Sequence, residues 1–318
     1  MMFQAFRDQK MLFLFGATIA LLIVLRLIAN FLKLRAETDS ARATVDDLNS
    51  RIRAWWKMCV VFVLCLLFGR VAALVVFGVI SFLAMREYMT LVPTHRSDHL
   101  TLFWSFFVIM PLQYFLLGMQ WLVAFVVVLP FFAFAFIPTS IAIEGDTSHF
   151  LERVAKIQFG IMVCVYCLSH LPALLFLSIP SLDGRDGRLL LYLVIVDQLS
   201  DVLQFIWGKL IGKRKIAWRV SPNKTWEGFL GGVVSATVIG AGLWWVTPFT
   251  PAQSAGMSFI ICILGFAGSL VMNAIKRDIG IKDFGVVIEG DVGILDRIDS
   301  FCFAAPIFFH VVRFYFNR

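Results

Sequence analysis

The sequence is poor in charged residues, which make up only 15% of its 318 residues. It is 60% hydrophobic with a mean hydropathy of +0.85, which argues against one or two ordinary soluble domains of this length. Apolar runs near or above the roughly 18-residue length that spans a bilayer recur along the whole chain. We therefore predict an all-α, polytopic integral membrane helical bundle with about nine or ten apolar segments.

The sequence also lacks the signs of several other classes of protein. All six cysteines lie in apolar segments, so neither a disulfide framework nor a zinc site is indicated, and the CxxC spacing of Cys164 and Cys167 fits small hydrophobic residues of a helix. The net charge of +7 does not indicate nucleic-acid binding, because no soluble segment interleaves basic residues with aromatics. There is no internal repeat and no low-complexity tract.

The apolar segments predict an N-terminal part over 1–57 and a multi-helix membrane domain over 58–318. The first run, 11–34, is too long for a signal-peptide core and lacks a clear cleavage site, so we predict a retained anchor helix followed by a charged cytoplasmic linker. The remaining apolar segments are 55–68, 70–91, 99–118, 120–138, 157–179, 189–208, 227–247, 256–275 and 300–316.

The role of the 55–68 piece is left open, and the orientation of the loops is inferred from charge. The 55–68 piece is too short to cross a bilayer alone, and it either joins 70–91 through Gly69 and Arg70 or forms a re-entrant element. The hydrophilic loops richest in Lys and Arg are 33–57 and 209–224, and the positive-inside rule predicts that both lie in the cytoplasm.

A first candidate block lies in the segment 189–208. Asp197 and Asp201 are four residues apart and so face the same side of a helix. Carboxylates at membrane depth usually line a polar cavity or meet a cation. The alternative is a pair of interfacial charges at a helix end.

A second block, SPNKTWEGFLGG, runs from Ser221 to Gly232. The hydroxyl and ammonium donors of Ser221, Lys224 and Thr225 precede a helix, where free N–H groups also favour phosphate oxygens. The alternative is a capped helix entry with glycines for helix packing.

The third block, residues 269–299, concentrates charge between two apolar segments. Asp296 and Asp299 are three apart and share a helical face, where two carboxylates can hold one metal ion while neighbouring cations hold phosphates. The alternative is a salt-bridged loop, for which Asp278 and Lys282 have the right spacing. The charged residues of the block are Lys276, Arg277, Asp278, Lys282, Asp283, Glu289, Asp291, Asp296, Arg297 and Asp299.

Together these blocks resemble the phosphatidate cytidylyltransferases, also called CDP-diacylglycerol synthases. KRDIGIKDFG at 276–285 and GILDRIDS at 293–300 are similar to the family signature, and SPNKTWEGFLGG matches a second family block nearly residue for residue. Ser200 and Asp201, followed by the Gly-Lys pairs at 208–209 and 212–213, resemble a third. The resemblance covers about 185–318, and further upstream only Arg86-Glu87-Tyr88 is a faint echo.

The chain departs from the family pattern at three places. The usual Pro-Gly-His-Gly-Gly turn is replaced by Glu289-Gly290-Asp291-Val292-Gly293, and Ala-Tyr after the first Asp by Gln204-Phe205. Ser269 stands where the family has a metal-binding Asp, and Asp291 is a candidate replacement for that carboxylate. The departures indicate a divergent paralogue.

The resemblance implies transfer of a cytidylyl group from CTP to phosphatidic acid, giving CDP-diacylglycerol and pyrophosphate in phospholipid biosynthesis. The cofactor implied is Mg²⁺ or a similar divalent cation, with a second metal ion as a further expectation. The site would occupy 189–318 and face the cytoplasm from the bacterial inner membrane. The implied catalytic residues are Lys276, Arg277, Lys282, Asp283, Asp296, Arg297 and Asp299; the implied substrate-binding residues are Ser221, Lys224, Thr225 and Asp201; the implied metal ligands are Asp201, Asp283, Asp296 and Asp299.

Three other functions remain open at this point. One is a paralogue of the same fold that activates another lipid or polyprenyl phosphate or has lost turnover. Another is a transporter, although its charges should then be spread over several helices near the membrane midplane. The last is a structural membrane protein whose charges only orient it. Membrane lipids are expected partners, nucleic acid is not, and a homodimer is compatible with a sequence that does not fix an oligomeric state.

Overall fold

The structure is a computed structural model that describes residues 8–35, 39–182, 187–285 and 293–316. It is 83% helical, which confirms the predicted all-α class. The substituted turn residues Glu289, Asp291 and Val292 lie outside the described residues, as does part of the loop 180–188. By its internal contacts the chain divides into two units, residues 1–73 and residues 74–318.

The first unit contains α1 (Gln9–Arg35) and the N-terminal part of α2 (Asp39–Leu91). The apolar pieces 55–68 and 70–91 are joined within α2, as one of the two sequence-based alternatives predicted, but the helix is kinked at Gly69, where φ is 78° and ψ is −166°. Only glycine adopts this backbone conformation without steric cost. The charged stretch before the kink is helical from Asp39 onward.

The second unit contains the C-terminal part of α2 and all later elements. Five-residue and six-residue π-helical turns, Ser105–Ile109, Phe132–Phe136 and Met162–Cys167, join consecutive α-helices into longer rods. The helices are α3 (His99–Trp104), α4 (Met110–Gly118), α5 (Leu122–Phe131), α6 (Ile137–Ile143), α7 (Phe150–Ile161), α8 (Leu168–Ala173), α9 (Gly187–Ile211), α10 (Trp226–Gly242), α11 (Pro251–Asp278), α12 (Leu295–Ile298) and α13 (Phe301–Phe316).

Seven helical rods in the described part of the chain are long and apolar enough to cross a membrane. Two further apolar helices, Trp55–Cys65 and Phe301–Phe316, are shorter. The protein is therefore an integral membrane protein. The spanning rods are Gln9–Phe31, Phe68–Leu91, Arg96–Gly118, Leu122–Ile143, Phe150–Phe176, Gly187–Ile211 and Pro251–Asp278.

A two-stranded antiparallel hairpin, β1 (Lys215–Ala217) and β2 (Ser221–Thr225), lies between α9 and α10. The sequence did not predict it, because the strands are short, lack apolar alternation and include Pro222. Contacts from the next helix complete the hairpin: Trp226 N donates to Arg214 O at 2.9 Å, and Glu227 accepts from the backbone N–H of Lys213 at 3.0 Å.

Buried polar contacts and small residues hold α9, α10 and α11 close together. The Tyr192 hydroxyl of α9 donates to Ser254 O of α11 at 2.8 Å and is 2.7 Å from Ser258 Oγ. On the other side, a Cβ on Gly228 of α10 would lie 2.7 Å from Gln204 O of α9, so only glycine permits this approach. The packing places the end of β2 and the charged segments of α9 and α11 beside α12.

Candidate active site

A chain of hydrogen bonds joins two carboxylates at the centre of the site. Ser300 Oγ donates to Asp197 Oδ2 at 2.5 Å, and the Ser300 backbone N–H donates to Asp299 Oδ1 at 2.8 Å. Asp197 and Ser300 are buried. The segment between α12 and α13 is thereby attached to the middle of α9. Asp197, Asp201 and Asp299 are called the carboxylate cluster below, because each of them lies within electrostatic range of the other two.

Two glycines let α11 pass directly against this cluster. A Cβ on Gly265 would lie 2.3 Å from Asp197 Oδ1, and a Cβ on Gly268 would lie 2.6 Å from Asp299 O. Both distances are shorter than any side chain tolerates. The backbone of α11 therefore forms one wall of the site, and its sequence must stay small there.

The carboxylate of Asp299 lies in a strongly charged environment. Burial and, to a smaller extent, the neighbouring carboxylates of Asp201 and Asp296 raise its pKa to about 7, against the opposing effect of Lys224 and Lys276. An added positive charge would stabilise the ionised form of such a carboxylate. The site as it stands is therefore suited to receive a cation.

Lys224, at the end of β2, projects into the same region. Its Nζ donates to Ser269 Oγ on α11 and lies 4.4 Å from the centroid of the Phe266 ring. Ser269 is the position where the family pattern has a carboxylate. The lysine thus meets a hydroxyl of α11 where a carboxylate was expected.

Lys276 and Asp296 form a buried ion pair next to the cluster. Lys276 Nζ donates to Asp296 Oδ1 at 2.7 Å, and Phe284 N donates to Asp296 Oδ2 at 2.8 Å. Each side chain of the pair is 7% exposed. Because both oxygens of Asp296 are bonded, this carboxylate fixes Phe284 and the start of α12 against α11.

The remaining predicted residues are not gathered into the cluster. Arg277 is exposed and donates to Ile281 O at 3.0 Å and Val220 O at 3.3 Å. Lys282 and Asp283 are exposed in the segment after α11. The structure contains no ion pair between Asp278 and Lys282, so that alternative is wrong for this pair. Arg297 is half-buried on α12.

The second block, Ser221 to Gly232, agrees in part with the alternative interpretation, a capped helix entry. The Thr225 hydroxyl is buried and accepts from Gly228 N at 3.1 Å, which caps α10. Ser221 is half-buried at the start of β2. A substrate-binding role for Ser221 and Thr225 stays a prediction, whereas Lys224 reaches the charged region directly.

Three residues at the site were missing from the predicted set. Asp197 was seen only as a partner of Asp201 on a helical face, and Ser300 only as the end of a motif. Glu87 of α2 was a faint echo of the family; it is 3% exposed, and its Oε2 accepts from Ile294 N at 2.8 Å. Its signal in the sequence is a carboxylate beside Arg86 in a predominantly apolar run.

The donor set fits a magnesium ion held partly by substrate. Within the described ranges, no three His, Cys, Asp or Glu side chains are placed to hold one ion together. Mg²⁺ commonly takes only one or two protein carboxylates and completes its octahedral shell with water and substrate phosphates. Asp201 and Asp299 would be the carboxylates that hold the ion, and the neighbouring Lys224 would face the phosphates.

Comparison with known proteins identifies the family. A family model described as "Cytidylyltransferase family" matches residues 49–315. The chain belongs to the cytidylyltransferase family. The match includes the carboxylate cluster, Lys224 and the Lys276–Asp296 pair, and it confirms the family resemblance drawn from the sequence motifs.

Individual relatives of this cytidylyltransferase-family protein differ in how much of the chain they share. The chain is 38% identical over 299 residues to a protein of Escherichia coli (strain K12) named "Uncharacterized protein YnbB". The match covers 93% of this chain and 96% of the relative. The chain is 31% identical over 158 residues to the phosphatidate cytidylyltransferase of Staphylococcus aureus (strain COL), covering 48% of this chain and 61% of that enzyme. The corresponding enzyme of Staphylococcus haemolyticus (strain JCSC1435) is 32% identical over 158 residues, with the same coverage. These matches support a nucleotidyltransferase.

Proposed function

We propose that the protein transfers a cytidylyl group from CTP to the phosphate of phosphatidic acid, forming CDP-diacylglycerol and pyrophosphate. The observation that carries the proposal is one electrostatic neighbourhood built from distant parts of the chain. It contains Asp197 and Asp201 of α9, Lys224 of β2, Lys276 of α11 and Asp299. Mixed carboxylates and ammonium groups at one point are what a metal-bound triphosphate requires.

The reaction needs no covalent enzyme intermediate, because the acceptor phosphate is already an anionic nucleophile. A phosphate oxygen of the lipid attacks the α-phosphorus of CTP, the new P–O bond forms, and the bond to the β-phosphate oxygen breaks to release pyrophosphate. Catalysis then depends on positioning and charge neutralisation. A divalent cation would supply charge neutralisation at the phosphates, with Asp201 and Asp299 as its ligands and Asp283 as a further predicted ligand.

The remaining side chains would bind and orient the two substrates. Lys224 is placed to contact phosphate oxygens once its hydrogen bond to Ser269 is exchanged. Lys276 would act mainly through Asp296. The Oδ1 atom of Asp296 accepts from Lys276 Nζ, and its Oδ2 atom accepts from the Phe284 N–H. Arg277 and Arg297 are proposed to meet the outer phosphates or the lipid phosphate from the exposed side of the site.

We also propose that the site faces the cytoplasm from the bacterial inner membrane. Lys213, Arg214 and Lys215 are exposed next to β2, which carries Lys224. Basic segments beside membrane spans favour the cytoplasmic side. This orientation gives the site access to CTP from water and to phosphatidic acid from the bilayer.

The direct test uses the purified full chain in mixed micelles with CTP labelled at the α-phosphorus and Mg²⁺. Phosphatidic acid as acceptor should give a labelled, chloroform-soluble product that co-migrates with CDP-diacylglycerol, together with one equivalent of pyrophosphate. Omitting the lipid or adding a chelator should abolish the label. Two outcomes would overturn the assignment of the acceptor. One is labelled product only with a different acceptor lipid, and the other is no labelled product with phosphatidic acid.

A second candidate is a paralogue that uses the same chemistry on another lipid phosphate. It is favoured by Ser269, which replaces a family carboxylate and leaves Lys224 bonded to a hydroxyl. The near full-length match to the YnbB protein, against a match to about half of this chain for the staphylococcal enzymes, points the same way. A panel of phosphatidic, lysophosphatidic and polyprenyl phosphates under the same conditions separates the two candidates.

A further inference from the structure

We infer that Glu87 is a positioning residue that holds the turn bearing Asp296 and Asp299 in its working place. Its kinetic consequences rest on the proposed function, whereas its structural consequence does not. The inference follows from the geometry of one buried carboxylate on α2 and a backbone segment more than 200 positions away in the chain.

Glu87 is bonded to backbone N–H groups at the start of α12. Its Oε2 accepts from Ile294 N at 2.8 Å and from Leu295 N at 3.4 Å, and the residue is only 3% exposed. A carboxylate buried in an apolar helix is costly unless it is bonded. These two bonds therefore fix α12 to the membrane-spanning part of α2.

The fit between the carboxylate and the backbone is tight. A Cβ on Gly293 would lie 1.9 Å from Glu87 Oε1 and 2.8 Å from Gly285 N. No residue other than glycine fits at 293 while Glu87 keeps this position. The two residues therefore act as one contact, which a double-mutant cycle can measure.

The turn needs such an external support because α12 has only four residues, Leu295–Ile298. A helix of this length is not stable by itself. Its orientation is set by the bond of Asp296 to Lys276, by the bond of Ser300 to Asp197, and by Glu87. Glu87 also lies within electrostatic range of Asp296.

The second carboxylate oxygen of Glu87 indicates that this side chain does more than bond the backbone of α12. Glu87 Oε1 is buried and has no hydrogen-bond partner among the residues that the structure describes. A glutamine would accept the same two backbone bonds without burying a charge. The carboxylate places a negative charge near Asp296, and repulsion between the two favours the orientation of Asp296 toward Lys276.

The first experiment measures backbone amide hydrogen exchange in the intact protein in detergent. Glu87→Ala should raise the exchange rates of the Ile294 and Leu295 amides at least tenfold, whereas Glu87→Gln should leave them within about threefold of wild type because its carbonyl oxygen still accepts. The matched control is Ser81→Ala, on the same helix and equally buried, where Ser81 bonds Tyr114 instead. It should leave both amides protected.

The second experiment measures kinetics with CTP, lipid and Mg²⁺. Glu87→Ala should lower kcat/KM about 100-fold and raise the half-saturating Mg²⁺ concentration, because misplacement of reacting groups by about 1 Å costs that much. Glu87→Gln should recover part of kcat. Gly293→Ala should cost activity in the wild-type background and clearly less in the Glu87→Ala background, because the steric conflict with Oε1 is then gone.

The outcomes separate this inference from the proposed function. Unchanged Ile294 and Leu295 exchange in Glu87→Ala overturns it, and so does a fall in thermal stability with kcat of the folded protein unchanged. If wild type transfers no cytidylyl group to any acceptor, the proposed function fails, while the exchange data still decide whether Glu87 holds α12.

Discussion

Two clusters of charge in the second unit differ in how their carboxylates interact with neighbouring charges. The Arg153 cluster consists of Arg153, Asp98 and Asp146. Arg153 Nη2 and Nε donate to Asp98 Oδ1 at 2.5 and 3.0 Å, and Nη1 is 2.9 Å from Asp146 Oδ2. Asp98 also accepts from the backbone of His95 at 2.8 Å. This cluster has a cation in contact with both carboxylates.

In the carboxylate cluster the dominant electrostatic interaction among the three acidic side chains is mutual repulsion. Asp197, Asp201 and Asp299 lie near one another, and burial together with this mutual repulsion raises the pKa of Asp299 to about 7. The nearest buried lysine, Lys276, is paired with Asp296 instead. A cluster in which one cation contacts each carboxylate stabilises a fold, whereas a cluster whose carboxylates repel one another is suited to bind a ligand cation.

The largest effect should follow from breaking the Arg153 cluster. Arg153→Leu leaves the buried carboxylate of Asp98 without its cation, which should cost about 4 kcal/mol of stability. Unfolding in a denaturing detergent titration would measure the loss. Protein that remains folded should keep its wild-type kcat, because Arg153 touches no residue of the candidate site; a selective loss of kcat would contradict the contrast between the clusters.

Asp299→Asn should show the opposite pattern in the carboxylate cluster. We expect activity to fall about 100-fold, since a metal ligand contributes several kcal/mol to transition-state stabilisation. Stability should not fall, because the change removes one of three mutually repelling charges. Initial rates with saturating CTP measure the first effect and thermal unfolding the second.

The pH dependence of stability sharpens this prediction. With a folded-state pKa near 7 and an ordinary carboxyl pKa near 4 in the unfolded chain, wild type loses stability as the pH rises from about 4 to 7. Asp299→Asn lacks this loss. Its unfolding temperature should match wild type at pH 4 and exceed it at pH 8, and equal values at both pH values would show that the pKa of Asp299 is not raised in the folded protein.

A steric change tests how closely α11 must approach the carboxylate cluster. Gly265→Ala places a methyl group 2.3 Å from Asp197 Oδ1 and should cost about 2 kcal/mol through overpacking, with a fall in activity. The matched control is Gly256→Ala on the same helix, where a Cβ would meet nothing within 4 Å. Equal effects of the two changes on stability and activity would mean that helix flexibility, and not contact with Asp197, is what matters.

Much of this arrangement could be predicted from the sequence because its signals are local. Long apolar runs gave the helices, and the spacing of Asp197 and Asp201 placed both carboxylates on one face of α9. The family motifs gave Lys224, Lys276 and Asp299. Asp296 was predicted to bind a metal ion, but its Oδ1 atom is bonded to Lys276, whose side chain is 20 positions away in the sequence.

The features that escaped prediction depend on contacts between distant segments. Glu87 is more than 200 positions from Ile294, so nothing in its own surroundings shows what it binds. The hairpin of β1 and β2 is completed by Glu227 and Trp226, and its short strands carry no alternation. Tertiary partners, and not local propensity, determine both features.

The smallest expected effect concerns Ser269, the position beside Lys224 at which the chain departs from the family pattern. Ser269→Asp restores a carboxylate opposite Lys224, whose Nζ now donates to the Ser269 hydroxyl. The added charge would be shared between Lys224 and the metal ion. We therefore expect the half-saturating Mg²⁺ concentration to fall only about threefold, the scale of a partly solvated ion pair.

The same variant tests whether the serine is an adaptation to another substrate. If Ser269 only weakens metal binding, Ser269→Asp should lower the Mg²⁺ requirement equally for every acceptor lipid in the panel. If the hydroxyl leaves Lys224 available to a particular acceptor phosphate, the change should raise KM for that acceptor alone, because the new carboxylate competes for the ammonium group. Ser269→Ala separates the two readings: it removes the hydroxyl without adding charge, so an acceptor-specific rise in KM with aspartate but not alanine assigns the effect to competition for Lys224.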